Sequence, residues 1–163
     1  MPTYQAPVDE ALFLINDVFH IERYDNVPGF ADASPDLVGA ILEEACKFCS
    51  EVLTPLNRIG DKQGCKRHDD ASVSTPEGFK DAFKRLVEGG LIGVSCPTAY
   101  GGQGLQTMVN QLVTEFLASA NMAFTMYAGL TQGAIAAIYV HGSDEQRKTY
   151  LPKMIAGDRK SVV

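Results

Sequence analysis

Residues 95–104 read SCPTAYGGQG, so that Gly101, Gly102 and Gly104 stand just ahead of an apolar repeat. A glycine-rich turn that opens a helix can gather backbone amides around a phosphate, because no Cβ blocks close approach and the helix N-terminus carries partial positive charge. The spacing fits neither common phosphate pattern. A dinucleotide turn needs a third glycine where this chain has Thr107, and no Gly-Lys-Ser/Thr of a P-loop follows. The loop is expected to be a tight connection between helices, its glycines supplying positive φ.

Two other groups have chemistry-bearing types. Cys46-x-x-Cys49 followed by Cys65-x-x-His68 offers zinc-ligand types. Zinc pairs of this kind usually sit in turns, however, whereas EEACKFCSEV around the first pair follows a helical repeat, so reduced thiols are expected. The histidines His20, His68 and His141 lie in unrelated contexts. His141 falls near a helix C-terminus, where positive charge is favoured. Glu43-Glu44 and Asp69-Asp70 are adjacent in sequence and need share no site. No G-x-S-x-G elbow occurs. No catalytic, cofactor-binding or metal-ligating residue is assigned.

The third group is helical. Gly129 and Gly133 lie four apart on one face of ANMAFTMYAGLTQGAIAAIYVHG, and each costs about 1 kcal/mol relative to alanine in a helix interior. Either a second helix approaches closely there, which the spacing alone favours, or the missing side chains leave room for a ligand. Thr125 and Met126 precede them by one turn on about the same side. Met108, Met122 and Met126 are expected to be core filler.

These residues must be positioned by a chain of 163 residues, 45% hydrophobic and 21% charged, with a formal net charge of -6. That is a globular composition, and without a basic run it excludes nucleic acid as the expected partner. Residues 1–8, MPTYQAPV, lack a charged start and an apolar core. The apolar stretch 128–140 falls short of the roughly 20 residues a spanning helix needs. A cytoplasmic protein without a membrane span is expected.

The pattern predicts an all-α fold of about six helices. One runs over 9–19 from an N-cap at Asp9, with Leu12, Ile15, Val18 and Phe19 inward; residues 24–34 are loop. Ser34-Pro35 opens a second, with Leu37, Ile41, Ala45, Phe48 and Val52 as its apolar stripe, and Pro55 kinking or ending it. Residues 60–75 read as an exposed connection. Thr75-Pro76-Glu77 opens a helix with Phe79, Ala82, Phe83 and Leu86 inward, stopped by Gly89-Gly90. Leu105 starts the next, Asn121 caps a further one, and Ser143 to Gln146 form a capping box before a last helix to about Ile155, ended by Gly157. No strand alternation is visible.

Three stretches in this order, LVEGGLIGVSCPTAYGGQGL, then TEFLASAN, then YVHGSDEQRKTYLPKMIAGD, carry a resemblance. The first is similar to a P-x-x-Y-G-G-x-G signature and the third to G-(S/T)-x-E-Q-K-x-x-Y-L-P. Residues 34–158 thus resemble the N-terminal helical domain of the acyl-CoA dehydrogenase family. Residues 1–33, with one short helix, resemble the N-terminal extension of a bacterial long-chain or methylthiopropionyl-CoA subgroup.

The resemblance implies an FAD enzyme that oxidises an acyl-CoA thioester to the trans-2-enoyl form, with a glutamate taking the α-proton and a hydride passing to the flavin. It implies a homo-oligomer that hands electrons to an electron-transfer flavoprotein. In the family the base and most flavin contacts come from a β-barrel and a C-terminal helical domain, so this chain alone is expected to be inactive and not to bind FAD tightly. The YGGQG loop then helps form a wall beside the acyl-CoA. The acyl-lining helix corresponds to Thr125, Met126, Gly129 and Gly133, whose two glycines imply a deep or wide pocket for long or bulky acyl groups. Residues 159–163, RKSVV, depart from the family's continuation and read as a truncated end. The alternative is a stand-alone helical module that binds a protein partner or forms one face of an oligomer.

Overall fold

The structure, a computed structural model, describes residues 4–27, 30 and 33–158. The expected end at 159–163 and part of the 24–34 loop lie outside the described residues. The fold is all-α, with six helices among the described residues: α1 (Val8–Phe13), α2 (Pro35–Phe48), α3 (Thr54–Gln63), α4 (Phe79–Glu88), α5 (Thr107–His141) and α6 (Asp144–Ile155). The connection expected over 60–75 is helical as far as Gln63, where α3 ends, and then holds a small hairpin. Its strands β1 (Lys66–Arg67) and β2 (Val73–Ser74) are antiparallel, with Lys66 opposite Ser74. Strands of two exposed residues are too short to show period-two alternation.

The first helix differs from its expected form. Pro7, not Asp9, precedes its first turn, and after Phe13 it widens into a π turn over Leu14–Val18. Ala11 and Ile15 are buried, while Val18 and Phe19 are exposed. The wider turn rotates later residues off the inward face.

Ser34 caps α2 as expected, its hydroxyl accepting from the Leu37 amide at 3.2 Å, with Pro35 at the first helical position. The buried row is Val38, Leu42, Ala45 and Phe48, and Leu37 is exposed. Two adjacent apolar rows have helical spacing, and packing selects the second. Pro55 does not end the helix. A π turn over Cys49–Leu53 leads directly into α3, whose first turn holds Pro55 where a missing N–H matters least. The Thr54 hydroxyl also donates to the Cys49 carbonyl at 2.9 Å.

Gly78, at φ 81, precedes α4, so this helix opens at Phe79 rather than at Thr75-Pro76-Glu77. A Cβ on Gly78 would also strike the Leu56 side chain. Phe79, Ala82 and Leu86 are buried, Phe83 is half-buried, and Gly89-Gly90 ends the helix.

The 35-residue α5 is not a rod. At Asn121 the backbone leaves helical geometry (φ -160, ψ 90). Asn110 and Gln132 exchange amide hydrogen bonds of 3.3 and 3.2 Å across a separation of 22 residues. In a straight helix they would stand about 33 Å apart, so the limbs 107–120 and 122–141 fold back beside one another. Asn121 caps the second limb, accepting from the Phe124 amide at 3.0 Å, and donates to the Leu53 carbonyl at 3.3 Å. By length and apolar composition α5 could cross a membrane, but this reversal makes it the central hairpin of the core. It packs on α2, the Cys49–Leu53 turn, α3 and α6. Phe79 and Phe124 meet edge to face with centroids 5.7 Å apart beneath it.

The capping box of α6 forms. Ser143 Oγ accepts from the Gln146 amide at 3.2 Å, and Gln146 Oε1 accepts from the Ser143 amide at 2.8 Å. Gly157 follows the helix at φ 72.

Candidate functional site

The glycine loop is folded onto the buried segment before it. The amides of Tyr100 and Gly102 donate to Pro97, that of Gly101 to Thr98, that of Gln103 to Gly93, that of Gly104 to Cys96, and that of Leu105 to Val94. All six donors are therefore used within the chain, and none is left to hold a phosphate. A Cβ on Gly102 would collide with the Cys96 carbonyl, and Gly101 and Gly104 have φ 92 and 70. The glycines serve this close return of the chain. Tyr100, at the end of the loop's 3-10 turn, then meets Tyr139 of α5 edge to face, with centroids 6.4 Å apart.

The second limb of α5 presents the other candidate surface. Met126 is 52% exposed and Gly129 and Gly133 are exposed with it. At about 100° per residue these three fall within a narrow arc. A Cβ built on either glycine meets nothing within 4 Å. The close helix approach favoured by their spacing is therefore absent among the described residues, because no element packs on this side of the hairpin. Met122 and Met126, expected as core filler, are exposed for the same reason. Met108 is half-buried. Leu130 and Val140 border the arc, and no charged residue occurs from 116 to 140.

Thr125 lies apart from this group. It is 6% exposed, and its hydroxyl donates to the Asn121 carbonyl at 3.0 Å. The structure thus brings Met126, Gly129 and Gly133 onto one open face and places Thr125 behind it.

The cysteines are not gathered. Cys49 and Cys96 are buried, Cys46 is half-buried with its thiol 3.8 Å from the Ala6 carbonyl, and Cys65 is exposed beside the Tyr127 hydroxyl at 3.8 Å. Burial, with Cys46 nearby, pushes the Cys49 thiol up to about 12, and burial also raises Cys96. Tyr127 is raised by burial and by Cys65. Among the described residues no three His, Cys, Asp or Glu side chains are arranged to hold a metal ion. His68 instead bonds Ser74 Oγ at 2.7 Å within the hairpin.

One buried polar residue escaped the sequence reading. Gln106, just before α5, is 6% exposed, and its side-chain nitrogen and oxygen have no hydrogen-bond partner among the described residues. Nothing in its sequence neighbourhood signals this burial. Neither the glycine loop nor the open arc offers converging donors for a flavin's phosphates.

A family model described as the N-terminal domain of acyl-CoA dehydrogenase matches residues 38–158. The 3-methylmercaptopropionyl-CoA dehydrogenase of Ruegeria pomeroyi is 38% identical over 95% of this chain and 26% of its own length. The butyryl-CoA dehydrogenase of Syntrophomonas wolfei is 30% identical over 88% of the chain and 23% of its length. A broad-specificity linear acyl-CoA dehydrogenase of Mycobacterium tuberculosis is 27% identical over 91% and 24%. The chain spans about a quarter of each relative. With the family model covering most of its residues, the chain belongs to the acyl-CoA dehydrogenase family and carries that family's N-terminal domain.

Proposed function

We propose that this chain forms one wall of the acyl site in an acyl-CoA dehydrogenase that introduces an α,β double bond into acyl-CoA thioesters. The observation that carries this reading is the uncharged open arc of Met126, Gly129 and Gly133 on a helix whose opposite side, at Phe124, Ala128, Thr131 and Ile135, is buried in the core. Thr125 serves from behind, tying its turn to Asn121. Glycine at two successive turns leaves the wall beyond Met126 without side chains at positions 129 and 133, which suits long or bulky acyl groups. An apolar wall excludes water and orients the chain without acting on protons.

FAD, which accepts the hydride in such a reaction, and the proton-abstracting carboxylate belong in this reading to parts of the enzyme beyond these residues. Electron-transfer flavoprotein as acceptor, a homo-oligomeric state and a cytoplasmic location complete the proposal. The test is a chimera in which this chain replaces the matching part of the Ruegeria pomeroyi enzyme. Gly129→Leu in that chimera should shift chain-length preference toward shorter acyl-CoAs. An unchanged preference would refute the wall.

A further inference from the structure

A second concave surface lies away from that arc, between the hairpin and α4. Phe79, Phe83 and Tyr127, with Thr75 and Lys80, line a slot of about 270 Å³. A polar basin of about 580 Å³ adjoins it, lined by Lys62, Lys66, Ser74, Thr75 and Glu77 among others. Thr75 borders both. The Cys65 thiol, between Gly64 and Lys66 on the basin side, lies 3.8 Å from the Tyr127 hydroxyl of the slot. The basin wall is fixed where the Glu77 amide donates to Gln63 Oε1 at 2.8 Å.

The charged residues that line the two hollows are Lys62, Lys66 and Lys80, with Glu77. Between residues 58 and 67 stand Arg58, Lys62, Lys66 and Arg67 against Asp61 alone, in a protein of net charge -6. Lys62, Lys66 and Lys80 make no ion pair among the described residues, whose ion pairs join Lys84 to Glu88 and Arg147 to Asp144. Glu77 opposes an anion in the basin, yet the two lysines there, Lys62 and Lys66, outnumber it, and Lys80 adds a third at the slot. An aromatic slot attached to an unpaired cationic basin is complementary to a molecule with an apolar body and an acidic end.

We infer that the slot of Phe79, Phe83 and Tyr127, joined at Thr75 to the Lys62–Lys66 basin, binds a small amphiphilic carboxylate. The apolar body lies along the rings and the carboxylate meets the lysine ammonium groups. This site is distinct from the Met126–Gly133 arc and stands without it.

The experiment is an amide-resolved NMR titration of the whole chain with octanoate and with its neutral counterpart octan-1-ol. Octanoate should give saturable shifts at residues 62–66, 74–80 and 127. Lys62→Ser/Lys66→Ser should weaken octanoate about tenfold and leave octan-1-ol unchanged, since it removes only screened charge contacts. Both positions are exposed, and an unchanged spectrum elsewhere confirms the fold. Shifts confined to 122–137, equal affinity for the two probes, or no saturable shift would overturn the inference.

Discussion

Asn110 and Gln132 hold each other by two hydrogen bonds across the α5 hairpin, 22 residues apart in sequence. Their pairing depends on Asn121, whose side chain caps one limb and reaches the Leu53 carbonyl of another element. Asn121→Ala removes both bonds in a buried setting and should lower stability by about 2–3 kcal/mol. Asn121→Asp keeps the capping oxygen but sets a buried carboxylate against the Leu53 carbonyl, and should lose at least as much. Thermal unfolding followed by circular dichroism ranks the three proteins, and equal midpoints would contradict this account of the turn.

Gln106 buries an amide with no partner among the described residues. Gln106→Met keeps its length and removes the desolvated polar atoms, so it should stabilise the chain by about 1–2 kcal/mol in urea titration. A loss of stability would reveal a water bound to that amide.

The glycine loop separates two kinds of constraint. Gly102→Ala drives a Cβ into the Cys96 carbonyl and should cost about 3 kcal/mol. Gly101→Ala meets open space and should cost only the left-handed backbone's 1–2 kcal/mol, roughly. Chemical denaturation of both variants measures the gap, which vanishes if the loop does not close on residue 96.

At Gly129 an added Cβ has room, and the position is helical. Gly129→Ala should therefore stabilise the chain by about 0.5–1 kcal/mol. A destabilised variant in thermal unfolding would mean that a neighbour packs there after all. A gain would let altered substrate preference in the chimera be read as a pocket effect rather than as misfolding.

Thiol reactivity should follow burial. At pH 8 iodoacetamide is expected to label Cys65 fast and Cys49 and Cys96 slowly, as peptide mass spectrometry would show. The neutral Cys49 thiol favours the folded state. That stability is complete below the thiol's ordinary 9.0 and is lost as pH rises toward about 12. Cys49→Ala should flatten this alkaline fall in a pH series of melts, and an unchanged slope would assign the fall to other groups.

Local signals were legible because their partners are near in sequence. The Ser34 cap, the Ser143 and Gln146 box, the Gly89-Gly90 stop and the Asn121 cap each involve groups within a few residues. The choice between Leu37 and Val38 as the row facing the core was not legible. Both satisfy helical periodicity, and only packing of α2 against α5 distinguishes them.

The sequence by itself determined most of the helices and the family, because propensity, capping and motif order are written over short spans, but it did not give α3 as a helix of its own beyond Pro55. Tertiary structure decided that α5 doubles back at Asn121, that Gly129 and Gly133 face open space, that Thr125 turns inward, and that Lys62 and Lys66 adjoin the ring slot. Each of these depends on residues far apart in the chain, where side-chain reach and competition for burial fix the outcome.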